Sequence, residues 1–235
     1  MPEDIQAAVS TGEFDYVNLH WYYIFQRNWP AIIQARARDM GVFIISPSDK
    51  GGKLYAPPEK LVELCSPLHP MVLNDLFCLS HPEVHTLSIG AACPGDFDRH
   101  LETLSLLEDA PAVLAPILAR LEAEHARCVP EEISTPFGLD VPHWTTMPGD
   151  INIPTILWLH NLAVAYDMHD YGKMRYNLLG NGGHWFPGNH AGDMDSTAVS
   201  GMLNDELPKE LIIDTLNTAH EMLFTEPVKR QSESE

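Results

Sequence analysis

GVFIISPSDKGGKL, residues 41–54, decides how the rest of the chain is read. From Val42 to Ser46, β-branched and aromatic side chains follow one another without polar alternation, the pattern of a strand covered on both faces. Pro47 ends that strand. Beyond it, Ser48, Asp49, Lys50, Gly51 and Gly52 combine a hydroxyl, a cation and two residues free to take positive φ, so backbone N–H groups can turn inward around an anion. This predicts a phosphate-binding loop. An ordinary surface turn is the competing reading of a Gly-Gly pair beside a lysine.

Working outward, Pro2 to Val9 has the acidic start of a helix, closed by Thr11-Gly12. Phe14 to Ile24 (FDYVNLHWYYI) is rich in β-formers and reads as a strand, leading into a helix with Pro30 in its first turn and Gly41 just past its end. After the Gly-rich loop, Pro57-Pro58 opens a short helix through Leu64. Ser66 to Leu79 gives another, with Met71, Val72, Leu76 and Leu79 at helical spacing. Val84 to Ile89 reads as a third strand, Gly90 to Gly95 as a loop, and Asp96 as the N-cap of a helix carrying Phe97, Leu101 and Leu104. Alternating strands and helices predict a parallel α/β sheet with ligand loops at the carboxyl ends of its strands.

From Glu108 the texture changes. Ala110 to Ala126 is a strong helix pattern, Cys128 to Pro148 is Pro-rich and aperiodic, and residues 151–180 read as two helices with Pro154 in the first turn of one and Gly180 after the other. A His- and Gly-rich loop at 182–195, an amphipathic helix from Leu207 to Phe224 and a solvated tail complete the chain.

The chain has 235 residues, 45% of them hydrophobic, enough for a sizeable core. It holds 14 basic and 33 acidic residues, a net charge of -19, which disfavours nucleic-acid backbones and anionic membrane surfaces. Residues 1–107 carry 7 basic against 13 acidic residues and 108–235 carry 7 against 20, so an anionic ligand is better received in the first half. Cys65, Cys78, Cys93 and Cys128 have no C-x-x-C spacing, which argues against a zinc or iron-sulfur nest and against a disulfide framework. No apolar run approaches the roughly 18 residues of a bilayer span, and MPEDIQAAVS lacks a signal-peptide core, so a cytoplasmic protein is expected.

Three motifs in register, FDYVNLHWYYI, DMGVFIISPSDKGGKL and HTLSIGAACPGDFDRHLETL, resemble strands six, seven and eight of the aldo/keto reductases, a family of (β/α)8 barrels. The tail resembles one bacterial branch of that family in INIP, NLAVAYDM, YGKMRYNLLGN and GHWFPG. The resemblance implies an α/β fold, a partial (β/α)8 TIM barrel made of its last three β/α units. The expected divisions are that partial barrel at 1–107, an all-α extension at 108–228 and a disordered tail at 229–235.

The same resemblance implies an NAD(P)-dependent carbonyl/alcohol oxidoreductase and assigns the cofactor contacts. Trp21 stands where the family stacks an aromatic ring, usually Tyr, on the nicotinamide; barrel filling is its competing reading. Ser46, Pro47, Ser48, Lys50, Gly51 and Gly52 match the pyrophosphate loop. Gly90, Cys93, Asp96, Arg99 and His100 match the adenosine end. Asp96 replaces an Arg or Gln beside the 2′-phosphate and His100 replaces an Asn facing adenine, which leaves NAD and NADP both open.

The family's catalytic Asp, Tyr, Lys and His lie on earlier strands and have no counterpart here, so no catalytic residue is assigned and the chain alone is expected not to turn over. It looks like the C-terminal part of an enzyme, which another chain supplying the missing strands would complete; a non-catalytic interaction module with an acidic helical tail is the alternative. In the tail, Met147 and Leu207 stand before Pro148 and Pro208 where the resembled branch has Cys-Pro, so no iron-sulfur cluster is expected. His184, His190, Asp193 and Asp195 are read as a solvated loop and not as a metal site.

Overall fold

In the computed structural model, residues 2–177 and 188–225 are described. The chain divides into two compact units, Met1–Ala123 and Glu124–Glu235.

The first unit begins with α1 (Pro2–Thr11), β1 (Tyr16–Leu19), α2 (Trp29–Arg36) and β2 (Gly41–Ile45). It continues through α3 (Glu59–Cys65), α4 (Pro70–Leu79), β3 (Thr86–Ser88), α5 (Pro94–Glu102), a 3-10 segment at Thr103–Asp109 and the first part of α6 (Ala110–Cys128). The strands pair in the order β1-β2-β3, all parallel, with Val17 opposite Val42, Leu19 opposite Ile44 and Ile44 opposite Leu87. Those five apolar residues share one face because side chains alternate along a strand. α2 supplies Ala31, Ile32 and Ala35 to the same core and α4 supplies Phe77 and Cys78.

The partial barrel implied by the resemblance is not formed. The described residues make one open sheet of three parallel strands, four, five and three residues long. Closure requires mutually consistent tilt and stagger around a complete ring of strands, which so short a sheet does not possess. β2 is also not covered on both faces: Val42 and Ile44 are fully buried, whereas Phe43 and Ile45 are half-buried on the other face. The unbroken apolar run therefore reflects a covered face plus an aromatic contact, Phe43 meeting exposed Tyr16 edge-on at 5.3 Å between centroids.

Three boundaries moved for identifiable reasons. β1 stops at Leu19 because the chain folds back, Tyr22 and Phe25 exchanging backbone hydrogen bonds of 3.0 and 2.9 Å. α4 starts at Pro70, where His69 caps it by accepting from the Met71 N–H at 3.2 Å. α5 is capped by Cys93, and Asp96 is its third residue reaching back, so the reading of Asp96 as the N-cap is corrected.

The division of the chain falls within α6, beyond residue 107, because the early part of α6 packs on the first unit. Leu118 lies against its core, and Arg120 donates from Nε to the Leu64 carbonyl at 3.0 Å and from its other nitrogen to the Ser66 carbonyl.

The second unit is helical among its described residues. Single 3-10 turns at Glu131–Ile133, Pro136–Gly138, Trp144–Thr146 and Pro148–Asp150 lead to α7 (Ile153–Tyr166) and α8 (His169–Tyr176). A 3-10 segment at Gly188–Asp193 precedes α9 (Ser196–Met202) and α10 (Lys209–Leu223). α7 is buried around most of its circumference and carries Pro154 in its first turn, with Asn152 accepting from Thr155 N–H at 3.2 Å as its cap. α10 shows the spacing of one apolar face, burying Ile212, Leu216, Ala219 and Leu223. Buried Asn161 of α7 donates to the Ile133 carbonyl at 2.7 Å and so anchors the aperiodic segment. Asn161→Ala is expected to cost roughly 2 kcal/mol in urea denaturation, since it orphans a buried carbonyl; a wild-type midpoint would show that this anchor is dispensable.

No described helix is long and apolar enough to cross a membrane. His184, the side chain of His190 and the expected tail at 229–235 lie outside what is described. Asp195 caps α9, accepting from the N–H groups of Thr197 and Ala198 at 3.0 Å each.

Candidate functional site

The loops that follow β2 and β3 meet at the carboxyl edge of the sheet, where parallel α/β folds carry their ligand sites. Ser46 takes positive φ (54°) as the chain leaves β2, and its N–H reaches the Ser88 carbonyl at 3.3 Å, extending the ladder to β3. The chain then winds into a compact turn. Lys50 N–H donates to Ser46 O at 3.1 Å, Gly52 and Lys53 N–H to Asp49 O at 3.3 and 2.7 Å, and Leu54 N–H to Ser48 O at 2.7 Å. Asn74 of α4 pins the turn from below, donating to the Pro47 carbonyl at 3.0 Å and accepting from Tyr23 N–H at 3.3 Å.

Gly51 and Gly52 therefore serve turn closure. Both are buried, and a Cβ at Gly51 would lie 1.9 Å from the Pro47 carbonyl oxygen. The expectation that this loop opens its backbone N–H groups around an anion is corrected for Lys50, Gly52, Lys53 and Leu54, whose N–H groups are spent on the turn itself.

Ser48, buried beneath this turn, faces His100 of α5, with Oγ 3.5 Å from Nε2. His100 is buried too; Nε2 lies 3.3 Å from the Gly90 carbonyl, and Nδ1 bonds the carboxylate of Asp75 on α4. Burial pushes the Asp75 carboxyl up to about 6, against the downward pull of His100. Its second oxygen, Oδ1, is buried without a hydrogen-bond partner. Tyr55 closes the top. A Cβ at Gly90 would sit 3.3 Å from its hydroxyl, and burial raises its pKa while the Ser48 hydroxyl beside it pulls the other way.

Ser48, His100 and Asp75 have the residue types of a nucleophilic triad, yet the geometry opposes that chemistry. Ser48 Oγ and Nε2 are 3.5 Å apart, at the limit of a hydrogen bond, and the Gly90 carbonyl lies closer to Nε2 at 3.3 Å. Ser48 is also 1% exposed, which denies a substrate access to Oγ. The trio works as a buried polar clamp joining the β2 loop, α4, α5 and the end of β3.

No family model, curated protein or solved structure matches the chain. Trp21 is 1% exposed; Trp29 and Phe77 stack on it with centroids 5.0 Å away, and His81 approaches edge-on. The expectation that Trp21 stacks on a nicotinamide is corrected, because its ring is already packed by the protein's own rings.

At the adenosine end, Gly90 and Cys93 are exposed, and Cys93 caps α5. Asp96 Oδ2 accepts from Ala92 and Cys93 N–H at 2.7 and 2.9 Å, bonds that hold its carboxyl below the usual range. That carboxylate is spent on the cap. Half-buried Arg99 lies beside His69, whose pKa is lowered first by burial and then by this guanidinium. Of the residues matched by resemblance, Lys50 and Arg99 are the cations, both half-buried.

Asp75, Asn74 and Tyr55 were missed by sequence reasoning. The signal was present: Asn74-Asp75 interrupts PMVLNDLFCL, a helix otherwise apolar on every side, and a buried polar pair in such a helix demands partners. Among the described residues, no group of three His, Cys, Asp or Glu side chains converges to hold a metal ion.

Proposed function

We propose that the chain is a cytoplasmic, aldo/keto reductase-like oxidoreductase component that binds NAD or NADP through the ADP half and does not itself transfer hydride. One observation carries this reading: the two segments assigned by resemblance to the pyrophosphate and the adenosine are packed together through Ser48, His100 and Gly90 at the carboxyl edge of the sheet. Lys50 and Arg99 supply charge for phosphate oxygens, and the exposed backbone around Gly90 offers an approach for a flat base.

The donor set fits an ADP-like anion and does not fit the nicotinamide, because Trp21 is packed internally. A bound dinucleotide would supply hydride chemistry. This chain's residues bind and orient its adenosine end, and no proton donor is assigned at the other.

The test is isothermal titration of the purified chain with NADPH, NADH and ADP-ribose. Comparable affinities for NADH and ADP-ribose are expected, since the nicotinamide adds no contact. Arg99→Ala and Lys50→Ala are each expected to weaken binding about tenfold, equivalent to about 1.4 kcal/mol. Absence of heat with all three ligands, or indifference to both substitutions, would overturn the reading.

A further inference from the structure

Helix N-termini attract anions, because their first N–H groups lack partners within the helix and the dipole is positive there. At the adenosine end of the proposed site that attraction is already used. α5 begins with Pro94, which has no N–H, and the Asp96 N–H is turned to Cys93, reaching its carbonyl at 3.1 Å and its side chain within the cap. Just ahead of the helix, the Cys93 and Ala92 N–H groups both donate to Asp96 Oδ2, at 2.9 and 2.7 Å. These bonds, that from Cys93 foremost, hold the carboxyl below its usual range, so it is an anion at neutral pH. α5 thus carries its own anion where a bound phosphate would otherwise find donors.

The neighbouring charges act in the same sense. From Gly90 to Glu102 the chain has Asp96, Asp98 and Glu102 against one permanent cation, Arg99. Asp98 and Glu102 are exposed, whereas Arg99 is half-buried beside His69, with Glu102 and Asp96 also near that ring. Lys50 and Lys53 stand on the other segment, the β2 loop. Cations therefore gather on the β2 loop and carboxylates on α5.

We propose that Asp96 makes this site selective for an adenosine whose ribose carries no phosphate, so that of the two dinucleotides the chain takes NAD(H) and rejects NADP(H). This selectivity rests on the dinucleotide reading above, which assigns the adenosine to residues 90–100 and the pyrophosphate to the β2 loop. The 2′-phosphate of NADP(H) belongs to the adenosine ribose and carries about two negative charges at neutral pH. To bond the Ala92 and Cys93 N–H groups it must displace the Asp96 carboxylate; left beside that carboxylate, it meets a like charge that it cannot neutralise. Arg99 does not offset this, since the pyrophosphate draws on the same guanidinium.

The probes are ADP-ribose and 2′-phospho-ADP-ribose, which differ only in the phosphate, titrated calorimetrically against the full chain in low salt. ADP-ribose is expected to bind at least about tenfold more tightly. Asp96→Asn keeps an oxygen for the Ala92 and Cys93 N–H groups while removing the charge, and is expected to bring the two affinities within about threefold of each other. Asp98→Asn makes the same change in net charge at an exposed position of α5 and is expected to leave the ratio near about tenfold. Should Asp96→Asn unfold, the wild-type chain decides: raising salt to roughly 0.5 M screens charge and is expected to narrow the ratio. Equal affinities in low salt, tighter binding of the phosphorylated probe, a ratio untouched by Asp96→Asn or one unmoved by salt would each overturn the selectivity and leave the dinucleotide reading standing. Absence of binding by both probes would overturn the two together.

Discussion

Gly51→Ala is expected to destabilise the chain by roughly 3 kcal/mol, at the upper end of what forced overpacking costs. A Cβ there would sit 1.9 Å from the Pro47 carbonyl oxygen, 3.0 Å from the Pro47 carbonyl carbon and 3.0 Å from Asn74 Nδ2. None of these atoms is the loose end of a flexible side chain. Pro47 O is held by Asn74, Asn74 is held by the Tyr23 N–H, and the turn is closed by the Lys50-to-Ser46 and Leu54-to-Ser48 backbone bonds. Relief therefore means opening the turn and parting Ser48 from His100. Gly95→Ala is the control, since nothing lies within 4 Å of a Cβ at that helical position; it is expected to be neutral or to stabilise by about 0.5 kcal/mol. Urea denaturation followed by tryptophan fluorescence separates the two. A Gly51→Ala midpoint matching that of Gly95→Ala would mean that the turn has room the geometry denies.

The same turn shows why part of the site was legible in the sequence and part was not. The strand–helix alternation, the parallel sheet and the loops at its carboxyl edge follow from apolar runs and punctuating Gly and Pro residues, which are local signals. The amphipathic face of α10 and the Pro154 start of α7 are legible for the same reason. Local signals stop where long-range partners begin. The glycines at 51 and 52 suit an anion loop and a tight turn equally, and Asn74, far along the chain on α4, selects the turn. Trp21 suits a stacking platform until Trp29 and Phe77 pack against it. Cys93 is an uncommon cap, so Asp96 took that role in the sequence until the backbone placed Ala92 and Cys93 N–H against its carboxylate. Sheet closure fails for a related reason. Motif wording resembles a barrel, but closure is a property of the number and stagger of strands, and three strands form an open sheet.

Asp75→Ala is expected to cost about 3 kcal/mol, because it strips the buried His100 ring of its Nδ1 partner and opens a polar cavity between α4 and α5. The more informative change is Asp75→Asn, which keeps the shape and a hydrogen-bonding atom while removing the titration. Burial pushes the Asp75 carboxyl up to about 6 from an ordinary value of 3.8. Between those values the folded chain holds a proton that the unfolded chain has released, so this carboxyl makes stability fall as pH rises from about 4 to about 6. Exposed carboxylates that are bonded in the fold, such as Asp96, act in the opposite sense, and their contribution is common to both proteins. The difference in unfolding free energy between wild type and Asp75→Asn therefore isolates one group: wild type is expected to lose ground relative to the variant across that window and to run parallel to it outside. Parallel curves throughout would mean that Asp75 does not retain its proton in the folded clamp. A sloping difference would instead tie the packing of the β2 loop on α5 to the charge of a side chain that no solvent-facing ligand contacts, and dinucleotide affinity at this edge should then shift over the same pH range in wild type and stay flat in Asp75→Asn.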